Sequence, residues 1–215
     1  METIVSSEPE IVSSFVTSQG RIEICAKCPA AFLKNLEMDS GFGNFKDYSS
    51  IIQQLDELCT IAESKDGTVT IAVIENNLIV GYFACHYPQP DARWSKLGEL
   101  MYELGALEVS RNFRIHGIAR QLVRTVLTEP FIEDKIAFMV GYSWTWDVDG
   151  SGFSLDEYRR VHLKLLEPYN FQEFYTNELN IRIREENIFM AKIGSRVCPA
   201  DYKRFKRLTL GIVES

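Results

Sequence analysis

The chain lacks any apolar run long enough to cross a bilayer. About 18–20 apolar residues in succession are needed for that, and the longest candidates, Leu78–Cys85 and Ile136–Tyr142, are strand-sized. Its start, METIVSSEPEIV, has no basic segment leading into a long apolar one, so no signal peptide is expected. The expectations are no membrane role and a cytoplasmic location. Cysteine is sparse and odd in number: five, at Cys25, Cys28, Cys59, Cys85 and Cys198. Without a secretory leader this argues against a disulfide framework. Cys25-Ala-Lys-Cys28 has the spacing of half a zinc site, but no second pair follows. The three histidines, His86, His116 and His162, share no ligand spacing, and no metal is expected. Positive charge is in deficit, with 23 Lys and Arg against 30 Asp and Glu, a net −7. Such a field repels phosphate backbones, which argues against nucleic-acid binding as the main role. It suits a basic partner, such as a lysine-bearing protein surface. One segment runs the other way: Val197–Leu208 carries Lys203, Arg204, Lys206 and Arg207 against Asp201 alone. That segment is either a docking surface or a solvated charged face.

Repeats and low-complexity stretches are absent, and 46% apolar with 25% charged residues is ordinary globular usage. A length of 215 residues favours one domain. Residues 1–19 are expected as an N-terminal arm or edge strand, and 20–215 as a single domain. Gly20–Cys25 alternates as a strand, and Pro29 opens a helix to about Glu37. Ser50-x-x-Gln53 reads as a capping box, followed by an apolar face of Ile51, Leu55, Leu58, Cys59 and Ala62. Thr68–Ile74 and Leu78–His86 read as a hairpin about an Asn-rich turn. Tyr102–Val109 is a strand, Gly117–Thr128 a helix with Ile118, Leu122 and Val126 on one stripe, and Lys135–Tyr142 a buried strand. Ser154-x-x-Glu157 is a second capping box, for a helix that stops before Pro168. Phe171–Thr176 and Ile188–Ile193 are expected as closing strands. Pro199–Leu208 is expected as a basic helix with Tyr202 and Phe205 inside. Strands in a run followed by strand–helix alternation predict an α/β (α+β mixed) fold, a mixed sheet with helices on both faces.

The segment that carries chemistry is Glu103-Leu-Gly-Ala-Leu-Glu-Val109 followed by Ser-Arg-Asn-Phe-Arg114-Ile-His-Gly117-Ile-Ala119. A strand runs into a tight loop that opens directly into a helix. Free N–H groups and the dipole at a helix N-terminus make an anion site. Arg114 adds a fixed positive charge, and Gly117 and Ala119 keep side-chain bulk away from the turn. This chemistry suits a pyrophosphate. The Gly-Lys-Ser/Thr element of a P-loop is missing, and the three-glycine dinucleotide spacing fails.

Arg114-Ile-His-Gly117-Ile-Ala119 resembles the Gln/Arg-x-x-Gly-x-Gly/Ala signature of the Gcn5-related N-acetyltransferase (GNAT) superfamily. A narrower resemblance, over about residues 20–208, is to the acetoin-utilisation acetyltransferases. It rests on Val80-Gly81-Tyr82, Tyr87-Pro88-x-Pro-x-x-Arg93-Trp94 and the Glu103–Val109 strand. Trp144-Thr-Trp146-Asp147-x-x-Gly150-x-Gly152, Glu157-Tyr158-Arg159, Met190-Ala-Lys-Ile-Gly194-x-Arg-Val197 and Phe205-x-Arg207-Leu208 complete it. Ala119 stands where that family often has Gly, a departure the superfamily allows. The resemblance implies a GNAT fold, mostly antiparallel, with a splayed mixed sheet. It also implies acetyl-CoA as donor and acetylation of a protein lysine, one on acetyl-CoA synthetase, which is thereby switched off. Two other readings stay open: acetylation of a small amine such as a polyamine or aminoglycoside, or a non-catalytic acyl-CoA-binding regulatory module.

A lysine amine with a pKa of about 10.4 is almost wholly protonated at pH 7, a deficit of about 4.6 kcal/mol. A positioned carboxylate offsets it. Glu103 resembles the general-base Glu of the histone-acetyltransferase branch. By alternation Glu103, Leu107 and Val109 share one strand face unless a bulge intervenes, and Glu108 faces the other way. The other reading of Glu103 is a solvated or salt-bridged strand-end carboxylate. The backbone N–H of Val109 or Leu107 is expected to stabilise the oxyanion, with the pantetheine arm pairing alongside. The diphosphate falls to Arg114, Ile115, His116, Gly117, Ile118 and Ala119, where His116 is either a phosphate contact or loop filler. Tyr158 is the candidate acid for the leaving thiolate, or else a core tyrosine with its hydroxyl at the rim. Trp144, Trp146 and Asp147 form either an apolar slot and anchor for a lysine or core aromatics with an N-cap Asp. His86 and His162 read as strand-end and helix-surface residues.

Overall fold

The longest β-branched runs of the sequence become its most buried strands. The structure, a computed structural model, describes residues 9–75 and 77–212. β1 (Glu10–Thr17) and β2 (Gly20–Ala26) form a hairpin, followed by α1 (Ala30–Leu33) and β3 (Glu37–Met38). α2 (Leu55–Glu63) leads into a second hairpin of β4 (Thr68–Ile74) and β5 (Leu78–His86). β6 (Met101–Val109), α3 (Ile118–Leu127) and β7 (Ile136–Gly141) come next. Then follow α4 (Val148–Ser151), α5 (Leu155–Leu166), β8 (Gln172–Glu173), α6 (Leu179–Arg182), β9 (Ile188–Ile193) and α7 (Pro199–Thr209). The strands make a mixed sheet in the order β1-β2-β4-β5-β6-β7-β9-β8, with β3 beside β5. Pairing is antiparallel except for β3 on β5 and β6 on β7. No helix among the described residues is long and apolar enough to cross a membrane.

Two compact units are present: residues up to Cys85 with Ala106–Val126, and His86–Gly105 with Leu127 onward. β6 passes from the second unit to the first after Gly105. In the first unit, β4 and β5 are buried on both faces, as continuous β-branched strands should be. Asn77 takes a positive φ of 59° at their turn. Leu33, Leu58, Ile71, Ile79 and Tyr82 fill the core there. In the second unit, Trp94 stacks on Phe189 at 4.3 Å, and Phe138 and Phe205 close around that pair.

Several local expectations change. The helix after Pro29 stops at Leu33, because the chain turns to lay β3 against β5, and Leu36 is buried on the way. Ser50 caps no helix. Its hydroxyl donates to Glu108 Oε1 and accepts the Gly43 N–H, so α2 begins only at Leu55, with Gln54 as N-cap. The expected strand Phe171–Thr176 shrinks to β8, and Tyr202 is exposed on α7 while Phe205 is fully buried. The Ser154–Glu157 capping box forms as read. β1 is an edge strand, and residues 1–8 lie outside the described part.

Candidate active site

β6 keeps a clean two-residue alternation. Leu104, Ala106 and Glu108 are buried, whereas Glu103, Leu107 and Val109 are half-buried on the opposite face. Glu108, only 8% exposed, is a satisfied carboxylate. Its Oε1 accepts from the Tyr48 hydroxyl at 2.6 Å and the Ser50 hydroxyl at 2.7 Å. Its Oε2 accepts from the Tyr82 hydroxyl at 2.6 Å and the Ile51 N–H at 3.3 Å. Burial and the neighbouring carboxylate push the Tyr82 phenol far above its ordinary range. The cluster ties residues 48–51 to β6 and β5.

Past Val109 the chain makes a short 3-10 turn, Arg111–Phe113, with Ser110 as N-cap. Asp39 pins this turn: its Oδ1 accepts from the Gly41 N–H at 2.9 Å, the Asn112 amide at 2.9 Å and the Ser110 hydroxyl. Arg114 Nε donates to the Val109 carbonyl at 3.4 Å, which ties the guanidinium to the strand end. Ile115 takes a positive φ of 67°, unusual for a β-branched residue, and its side chain is 101% exposed. Gly117, at φ 78°, supplies the next left-handed turn, and α3 starts at Ile118. Ile118 is buried, His116 and Ala119 half-buried. The first N–H groups of α3 have no partner inside the helix. Two left-handed residues just upstream of a helix N-terminus, beside a guanidinium, form a cradle suited to an anion such as a diphosphate. Gly81 sets how closely α3 packs on β5, because a Cβ there would stand 2.9 Å from Ile118 Cγ2.

In the second unit Glu103 is half-buried. Burial pushes its carboxyl above the usual carboxylate range, and the charge of His86 opposes that rise. β6 pairs with β7 at Met101, Tyr102 and Glu103. Tyr142, just past β7, has its phenol raised by burial and by Glu178 and Glu103. Trp144 stacks on Tyr142 at 4.7 Å and is 49% exposed, with the Arg184 guanidinium 5.7 Å from its ring.

Trp146 belongs to a different cluster. It is 6% exposed and stacks on Tyr158 at 5.5 Å and 10°, with His162 tilted against both rings. Burial drops the His162 imidazole to about 4, so it is neutral near pH 7. Asp147, 1% exposed, is the N-cap of α4 and accepts the Gly150 N–H at 2.9 Å. The two tryptophans read together in sequence thus sit in separate ring stacks, and Tyr158 joins Trp146 rather than Trp144. Two participants escaped the sequence reading. Glu108 was read only as facing away, and the one trace of its cluster was a Ser50 that mimics a cap. His86 closes β5 as expected, and nothing in the linear pattern signals that its charge acts on Glu103.

The model of the Acetyltransferase (GNAT) family matches residues 30–139. The chain is 34% identical over 157 residues to the acetoin utilization protein AcuA of Bacillus licheniformis, covering 73% of this chain and 74% of that protein. It is 32% identical to AcuA of Bacillus subtilis over the same shares. The crystal structure of an acetoin utilization protein from Exiguobacterium sibiricum superposes with a TM-score of 0.84 at 28% identity, covering 97% of each chain. The GNAT domain of S. lividans PAT shares the fold at a TM-score of 0.54 and 8% identity. The anion cradle, the mixed sheet and these likenesses converge: the chain belongs to the GNAT acetyltransferase family and is an acyltransferase.

Proposed function

We propose that the protein transfers the acetyl group of acetyl-CoA to a protein lysine, with acetyl-CoA synthetase as the acceptor that the modification switches off. The observation that carries this is Glu103, a half-buried carboxylate with a raised pKa on the strand that feeds the anion cradle. The backbone N–H groups around Gly117, together with Arg114, hold the diphosphate. Ile115, His116, Ile118 and Ala119 contribute loop and helix amides. The pantetheine arm then runs along β6 in the manner of an added strand, with Val109 as its first pairing residue.

Strand geometry favours the nearer of the two oxyanion donors. At about 3.3 Å per residue, Val109 lies about 20 Å from Glu103 and Leu107 about 13 Å. Leu107 is therefore the donor we favour, and at that distance a chain of several ordered waters would carry the proton from the amine to Glu103. The neutral amine attacks the thioester carbon, and the oxyanion collapses to expel the coenzyme A thiolate. Tyr158 is the candidate to protonate it. The net charge of −7 favours approach of a lysine-bearing partner. The test is incubation with acetyl-CoA and either purified acetyl-CoA synthetase or spermidine, followed by mass spectrometry. A gain of one acetyl group on a synthetase lysine supports the proposal; acetylation of spermidine alone moves the acceptor class to small amines.

A further inference from the structure

Trp144 is left half exposed, and the segment 175–184 leaves three more large apolar side chains in solvent: Tyr175, Leu179 and Ile183, each exposed by more than half. Single exposed apolar residues are normal on a protein surface, whereas a cluster marks a surface that something covers. These four cluster. α6 buries only Ile181, and the Ile183 N–H donates to the Leu179 carbonyl at 3.0 Å. One helical turn therefore sets Leu179 and Ile183 side by side, on the side away from Ile181. The Asn187 side chain fastens α6 to the turn that carries Trp144. Its Oδ1 accepts the Ser143 N–H at 2.8 Å, and its Nδ2 donates to the Asn180 carbonyl at 3.0 Å. The Arg184 guanidinium lies 5.7 Å from the Trp144 ring, and that of Arg182 lies 4.9 Å from the Tyr175 ring. A guanidinium laid over a ring keeps its in-plane N–H donors for a carboxylate or carbonyl.

This surface adjoins the candidate base. The parallel register pairs Met101 with Ile136 and Glu103 with Phe138, so by alternation Glu103, Phe138, Val140 and Tyr142 share one sheet face. Met101, Phe138, Val140 and Tyr142 pack in one apolar cluster there. Trp144 stacks on Tyr142 at 4.7 Å and 18°. Glu178, the N-cap of α6, raises the Tyr142 phenol together with Glu103. From Glu103 outward the order is thus Tyr142, Trp144, then α6.

We infer that Trp144, Tyr175, Leu179, Ile183, Arg182 and Arg184 form the docking surface for a folded acceptor protein, which seats the region around its target lysine here. The inference rests on the reading of Glu103 as base and deepens it by choosing a protein over a small amine. A polyamine is cationic along its length, so two guanidinium groups repel it, and it is too slender to cover the ridge of α6. Trp, Tyr and Arg are the residue types that anchor protein interfaces. The complementary region of the partner carries an apolar side chain for the Leu179–Ile183 ridge and a carboxylate for Arg182 or Arg184.

Two double variants test this: L179S with I183S, and R182Q with R184Q. All four side chains are exposed, so melting temperature and acetyl-CoA affinity by calorimetry should match the wild type. With purified acetyl-CoA synthetase as acceptor, KM for the synthetase is expected to rise about tenfold in each double variant while kcat stays within about twofold. An unchanged KM in either one overturns the inference and leaves lysine acetylation standing. Failure of the wild type to acetylate the synthetase, whether or not spermidine is acetylated, overturns both. Sedimentation of the protein alone checks the other occupant. A wild-type dimer that L179S with I183S turns into a monomer makes this face a contact between copies of the chain, and the inference falls.

Discussion

Glu108→Gln changes one buried carboxylate into an amide and leaves the shape of the site almost intact. The wild-type group accepts four hydrogen bonds, from Tyr48, Ser50, Tyr82 and the Ile51 N–H. In the variant the amide oxygen can serve Tyr48 and Ser50, but as a neutral acceptor, with bonds about half as strong. The amide NH2 then faces Tyr82, which can rotate its hydroxyl and accept, and the Ile51 N–H, which cannot. One part-buried donor loses its acceptor and two charge-assisted bonds are weakened, a cost of about 2–4 kcal/mol. The three tryptophans, Trp94, Trp144 and Trp146, all lie in the other unit, so tryptophan fluorescence reports on the wrong region. Hydrogen exchange over residues 48–52 is the suitable assay, and a loss of about 10²-fold in protection is expected, since 1.4 kcal/mol corresponds to tenfold. Tyr82→Phe removes one donor to the carboxylate and also the acceptor of the buried Ile52 N–H at 3.1 Å, so it should lose protection to a similar extent. Unchanged exchange in Glu108→Gln would refute the claim that this carboxylate holds the 48–51 segment to the sheet.

Other expectations follow from the loop and from the second unit. Gly117→Val forces a β-branched residue to φ 78° and should weaken acetyl-CoA binding at least tenfold by calorimetry. Ile115→Asn should raise the melting temperature slightly, because the exposed isoleucine side chain loses nothing by removal and asparagine tolerates φ 67° better. Glu133, hydrogen-bonded by Lys192 and Ser195, has its carboxyl lowered to about 2. A depressed folded-state pKa gives stability that is present above the ordinary value of 4.5 and is lost as pH falls toward 2. Lys192→Met should flatten that part of the stability–pH curve, measured by denaturant titration at several pH values.

How much of this was legible in the sequence varies with the range of the interaction. β4, β5, β7 and α3 were readable because long apolar runs and a helical stripe are local signals. The turn at Gly117 and the helix that starts just after it were readable for the same reason, as local backbone signals. The expected 29–37 helix is cut short because a parallel pairing of β3 with β5, formed by residues 41 positions apart, outweighs helix propensity in so short a segment. Ser50 misled because the side chain that suits an N-cap equally suits a carboxylate 58 residues away. Asp147 carries both of its readings in one residue type, and the structure displays it as the N-cap of α4.

The place where a coenzyme A diphosphate binds decides the rest. A crystal structure with acetyl-CoA tests it directly. The expected result places the diphosphate within hydrogen-bond distance of the N–H groups from Ile115 to Ala119 and the thioester oxygen on the Leu107 N–H. Diphosphate density away from Gly117 would contradict it.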